Sequence, residues 1–171
     1  MPRPMNDTDM LLVEDNPDDI AMIRRLVTMS HAPIRLSVCT DGRGALEYIL
    51  RRNHPSASPA LSVPQVVLLD IGLPGIDGLE VLRRLRTEEA TRQLPVIMLT
   101  ASQDEHYVRE GQELGAHSYI VKPMKLHDFS WIARTIGSLA ELILGRRLRP
   151  SIRMGLGRTW DCLRRCSISD R

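Results

Sequence analysis

Four apolar residues in a row, Val66 to Leu69, run straight into an aspartate, Asp70, and a turn carrying Pro74, Gly75 and Gly78 follows at once. A short unbroken apolar run between turn signals reads as a strand buried on both faces. Strands of that kind belong to parallel sheets covered by helices on either side. In such open sheets, ligands bind beyond the carboxyl ends of the strands. Asp70 stands at that end. Taken alone, it fits an ordinary cap or turn aspartate as well as a site residue.

The rest of the chain repeats the pattern. Residues 10–13 form a predicted first strand ending in Glu14-Asp15. Asn16 suits the N-cap of the next helix, Pro17 its first position, and Asp18 and Asp19 the positive end of its dipole. Ile20, Ile23 and Val27 supply its buried stripe, and residues 30–33 break it. Residues 35–40 alternate as a second strand, and a helix over 43–52 follows. A long Pro- and Ser-rich loop over 53–64 leads to the central strand. A helix over 77–87, a buried strand over 96–99 and a terminal Thr100 come next. Ser102 suits the cap of a helix beginning near Gln103. Gly111 lies inside that helix at a cost of about 1 kcal/mol relative to Ala, and Gly115 suits its end. Residues 118–121 are the fifth strand, closed by Lys122-Pro123. A last helix over 126–144 places Phe129, Ile132, Ile136, Leu139 and Ile143 at steps of three and four. Five alternations predict an α/β, flavodoxin-like, doubly wound five-stranded parallel sheet of order 2-1-3-4-5 with five helices.

The 171 residues suffice for one good core. The predicted organisation is an N-terminal tail over 1–9, one domain over 10–145 and a basic tail over 146–171. That tail holds eight Arg and two Asp, net +6, whereas the preceding residues carry net −4. It is too short for a helix-turn-helix reader of DNA. A basic arm could touch nucleic acid or anionic lipid, but its Gly, Ser and Arg content favours a solvated tail. Three cysteines, Cys39, Cys162 and Cys166, make no disulfide framework. The N-terminus has no apolar signal region and no apolar run reaches membrane-spanning length, so a cytoplasmic protein without a membrane span is expected.

Four strand ends now carry chemistry: Glu14-Asp15, Asp70, Thr100 and Lys122. Order 2-1-3-4-5 makes strands 1 and 3 neighbours, which crowds three carboxylates into one crevice. Two like charges about 5 Å apart repel by about 3 kcal/mol at an effective dielectric near 20. Lys122, one of only two lysines in the chain, offsets part of this. The remaining oxygens suit Mg²⁺. A carboxylate in such a setting can act as a nucleophile toward phosphorus. Each residue alone has a plainer role, as a cap, a strand end or a solvated lysine. Their joint placement points to a site.

The segments L-L-V-E-D-N-P-D-D, V-V-L-L-D-I-G-L-P-G-I-D-G-L-E-V-L, P-V-I-M-L-T-A-S and A-H-S-Y-I-V-K-P together resemble the receiver domain of two-component response regulators. The resemblance covers about residues 10–145. It implies that Asp70 is the phosphoacceptor, fed by a phosphohistidine on a sensor histidine kinase. It implies Mg²⁺ ligation by Asp15, Asp70 and the Gly72 carbonyl, with Glu14 acting through water. Lys122 is implied to contact the phosphoryl group, and Thr100 to be the switch hydroxyl. Tyr119 falls at the family's aromatic switch position; by geometry alone it is equally an amphipathic strand tyrosine. Gly72 departs from many members, which carry a side chain there. N-P-D-D, the long loop and A-H-S-Y-I-V-K-P resemble the small single-domain regulators that accompany phytochrome-type kinases. Such regulators dimerise, and Trp131, Ser138 and Leu142 form a second stripe on the last helix suited to a homodimer.

Two other function classes compete. Asp-nucleophile phosphatases carry a second Asp two residues after the nucleophile, where this chain has Gly72. A receiver that only binds partners would not need the full acidic, Asp, Thr and Lys set.

Overall fold

A computed structural model describes residues 8–53, 63–101, 105–125 and 127. Five strands alternate with four helices in these residues: β1 (Thr8–Val13), α1 (Pro17–Ser30), β2 (Ile34–Cys39), α2 (Gly42–Asn53), β3 (Val66–Asp70), α3 (Gly78–Thr87), β4 (Val96–Thr100), α4 (Glu105–Glu113) and β5 (Ser118–Val121). The strands form one parallel sheet of order β2-β1-β3-β4-β5. That is the predicted flavodoxin-like order. The predicted last helix, its Trp131, Ser138 and Leu142 stripe, most of the 53–64 loop, the Ser102 cap and the basic tail lie outside the described residues.

Several element ends differ from the sequence pattern by a residue or two. The sheet begins at Thr8, two residues before the apolar run and inside the predicted tail. Thr8 pairs with Ile34 and its N–H donates to the Pro33 carbonyl at 2.7 Å. Asp9 pairs with Arg35 in the ladder, and their side chains form a 3.6 Å ion pair. Main-chain pairing extends the strand through two polar residues that periodicity discounts. For the same reason β2 starts one residue early, at Ile34.

The two-residue period of each strand divides the core into two layers. Leu11, Val13, Val67, Leu69, Val96 and Met98 pack with Ala45, Leu46 and Ile49 of α2 and with Leu79, Val81, Leu82 and Leu85 of α3. Met10, Leu12, Val66, Leu68, Ile97, Leu99 and Ile120 pack with Ile23 and Leu26 of α1. Strands β3 and β4 are buried at every position. Helices on both faces therefore account for the unbroken apolar runs.

Helix starts follow their caps. Asn16 accepts from the Asp18 N–H at 2.9 Å, with Pro17 opening α1. Asp77 accepts from the Glu80 N–H at 2.8 Å at the start of α3. His31, at φ 51°, ends α1 in the left-handed region.

Candidate functional site

Strand parity sorts the predicted site residues into two groups. Glu14 and Asp70 continue the rows of Met10 and Leu12 and of Val66 and Leu68, on the α1 face of the sheet. Lys122 lies two residues beyond Ile120 of the same layer. Thr100 continues the row of Val96 and Met98, and Tyr119 packs against the same layer, on the α2–α3 face. The charged cluster and the two hydroxyl residues thus sit at one end of the sheet but belong to opposite faces.

The charged cluster centres on Lys122. Its ammonium lies 2.6 Å from Glu14 Oε2, 2.9 Å from Asp70 Oδ1 and 3.0 Å from Asp19 Oδ2. Glu14 is fully buried, Asp70 nearly so, and Asp19 is the most accessible of the three. Glu14 Oε1 accepts from the Asn16 N–H at 3.2 Å, while Oε2 has the lysine beside it without an aligned hydrogen bond. Burial pushes the Glu14 carboxyl up; Lys122 opposes this and the Asp70 charge adds to it. Burial alone would push Lys122 down, but Glu14, Asp70 and Asp19 overcome it and hold the ammonium above the ordinary lysine range. The lysine is a fixed cation in a crevice of excess negative charge.

Asp15 completes the excess. Glu14, Asp15 and Asp70 each present a carboxylate oxygen within 4.8 Å of the others. This all-oxygen set, with more carboxylates than Lys122 can neutralise, fits a hard divalent cation that keeps some of its waters. Asp15 is exposed, leaving a side open toward solvent. Gly72 is exposed too; a Cβ there would stand 3.3 Å from Asp70 Oδ2, so position 72 adds no side chain beside that oxygen.

On the other face, Thr100 is buried at the end of β4. The Tyr119 hydroxyl is buried without a hydrogen-bond partner among the described residues, and burial pushes its pKa up to about 12. It lies against α4 where Gly111 has no side chain: a Cβ on Gly111 would overlap the hydroxyl. The mid-helix glycine, unfavourable by propensity, gives the phenol its room. Gly78 has a comparable steric role, since a Cβ there would overlap the Asp70 carbonyl.

The structure brings Glu14, Asp70 and Lys122 into contact, with Asp15 alongside. It sets Thr100 at the neighbouring strand end and Tyr119 under α4. Asp19 joins the site without any signal in the sequence pattern. Its place in the first turn of a helix fully explained an acidic side chain, and nothing in the sequence shows that it reaches Lys122.

The sequence pattern of the response regulator receiver domain matches residues 10–133. The chain belongs to the response regulator receiver family. Its relatives include response regulator Rcp1 of Synechocystis sp., 30% identical over 129 residues, covering 75% of this chain and 86% of that protein. Among solved structures, the phosphorylated cyanobacterial phytochrome response regulator RcpA superposes with a TM-score of 0.61 at 30% identity. It covers 85% of this chain and 99% of its own. The Mn²⁺-bound form of Rcp1 gives 0.61 at 26% identity, over 84% and 99% of the two chains. The receiver fold and its membership in two-component signalling are therefore established, and the acidic pocket of this receiver is one suited to a divalent metal. Among the described residues, no helix is long and apolar enough to cross a membrane.

Proposed function

We propose that this receiver is a cytoplasmic, phosphorylation-dependent switch. In this reading, Asp70 accepts a phosphoryl group from a phosphohistidine on a sensor histidine kinase, in a Mg²⁺-dependent step, and the product alters contacts with other proteins. The observation that carries this is Lys122 Nζ held 2.9 Å from Asp70 Oδ1 beside the Glu14 and Asp15 carboxylates. A cation is fixed where phosphoryl oxygens must arrive, next to a carboxylate able to attack.

A carboxylate oxygen of Asp70 attacks phosphorus. The P–O bond forms as the P–N bond to the kinase imidazole breaks; the electron pair goes to the ring nitrogen, which takes a proton from solvent. Asp15, Asp70 and the Gly72 carbonyl, with Glu14 acting through water, would hold Mg²⁺, and that ion would supply charge neutralisation at the phosphoryl oxygens. Lys122 contacts one of those oxygens. Thr100 donates its hydroxyl to another, and the movement toward the phosphate frees space for Tyr119 to rearrange beneath Gly111. No enzymatic activity beyond self-catalysed phosphorylation and dephosphorylation is assigned. A phosphatase mechanism lacks its general acid at Gly72.

The relatedness to phytochrome response regulators supports a phytochrome-type kinase as the donor. We assign residues 10–145 to the receiver and 146–171 to a basic tail. The last helix is assigned a homodimer contact through Trp131, Ser138 and Leu142.

The test mixes the chain with radiolabelled, autophosphorylated histidine kinases, a bacteriophytochrome among them. Label is expected to pass to the wild type in Mg²⁺, not in chelator, and not to Asp70→Ala. Equal labelling of wild type and Asp70→Ala would overturn the assignment.

A further inference from the structure

Lys122 is surrounded in a way that the proposed reaction must undo. An ammonium has three N–H groups, and three carboxylate oxygens lie within 3.0 Å of this one. With three carboxylate oxygens crowded around it, the ammonium has little room for a phosphoryl oxygen unless one of them moves aside. Glu14 is fully buried, and Lys122 is its ion-pair partner among the described residues, so losing the lysine would cost that carboxylate more than it would an exposed one. Asp70 is the residue that carries the phosphoryl group. Asp19 remains, with a side chain 24% exposed against 0% and 7% for the other two. It also stands in the first turn of α1, where water and the helix N-terminus stabilise a released carboxylate.

Asp19 has no evident second employment. Among the described residues, the carboxylates close enough to hold a metal ion together are Glu14, Asp15 and Asp70, without Asp19. The α1 cap is made by Asn16. Asp18, one residue earlier, supplies the same charge to the same helix end but has no ion pair among the described residues.

We propose that Asp19 is a positioning residue: it latches Lys122 in the unphosphorylated receiver and yields its place to a phosphoryl oxygen when Asp70 is modified. This rests on Asp70 being the phosphoacceptor. The latch keeps the lysine ordered and neutralised at rest. It also competes with the incoming group, so it sets how readily the receiver is occupied. Weakening it favours the phosphorylated state.

The test uses the full chain and beryllofluoride, a phosphoryl mimic, titrated calorimetrically at saturating Mg²⁺. Asp19→Asn is expected to bind beryllofluoride on the order of fivefold tighter than wild type, the scale of one partly exposed ion pair. Asp18→Asn, which removes the same charge one residue away, is expected to match wild type. In a Lys122→Met background, adding Asp19→Asn is expected to change nothing, an outcome that a merely structural role would not produce. Asp19→Ser, suited to a first helical turn, repeats the measurement with a second side chain. Equal or weaker binding by both Asp19 variants overturns the latch. So does an equal gain in Asp18→Asn, or a gain that persists without Lys122. If wild type takes up no beryllofluoride, the phosphoacceptor assignment falls and the latch falls with it.

Discussion

Tyr119 keeps its hydroxyl buried with no partner among the described residues, and the fold tolerates this only because residue 111 is glycine. An unsatisfied buried hydroxyl costs about 1–3 kcal/mol. Tyr119→Phe removes that cost while keeping the ring, so the variant should gain about 1 kcal/mol in urea unfolding. A loss of stability would show that the hydroxyl is bonded at rest. The same burial sets a pH dependence. The folded pKa, about 12, lies above the unfolded value of 10.0, so the folded protein keeps the phenol proton when the unfolded chain has lost it. Tyr119's contribution is therefore complete below pH 10 and is lost as pH rises through 12. Tyr119→Phe should lack that alkaline loss. Gly111→Ala drives the hydroxyl from its slot. A tyrosinate absorbance titration should then show the late-titrating phenol moving back toward 10. An unchanged titration would show that the slot does not depend on Gly111.

At the scale of elements, the end of β3 and the start of α3 are fitted together. The Gly78 N–H donates to the Ile71 carbonyl at 3.1 Å, and its Cα lies against the Asp70 backbone. Alanine is the better helix former by about 1 kcal/mol, yet Gly78→Ala should destabilise the fold by about 1–3 kcal/mol. Its Cβ meets a backbone carbonyl that cannot swing aside. A chemical-denaturation midpoint at or above wild type would contradict this fit. Helix α4 meets α3 through an ion pair at the surface. Arg83 reaches Glu110 across to α4 at 2.9 Å, with both side chains about a third exposed or more, and pairs of that kind contribute about 1 kcal/mol or less. With Tyr119 lodged beneath its buried Gly111, α4 is the element on which the proposed rearrangement of Tyr119 would act.

These elements were largely legible in the sequence. The apolar runs of β3 and β4 are unbroken because helices cover both faces, and the caps at Asn16 and Asp77 mark where α1 and α3 begin. Thr8 and Asp9 were not legible as strand, because their place comes from pairing with Ile34 and Arg35 rather than from apolar pattern. At the site, Glu14, Asp70 and Lys122 could be found because each ends a strand. Asp19 could not, because only the packing of α1 against the sheet brings it to Lys122. Gly111 is unfavourable by helix propensity, and its reason, the Tyr119 hydroxyl packed against it, lies in the tertiary structure.

For the whole molecule, the charge division matters: a body of net −4 and a tail of net +6 in one chain of 171 residues. If the last helix joins two copies, light scattering should give a mass that rises with concentration and with phosphorylation. A constant monomer mass in both states would dismiss the dimer. Phosphorylation of Asp70 underlies every functional step above, and it can be read by intact-mass spectrometry after incubation with acetyl phosphate and Mg²⁺. The wild type should gain the mass of one phosphoryl group, located by peptide mapping at Asp70 and absent from Asp70→Asn. A phosphoryl group mapped to any other residue, or none on wild type, would contradict it.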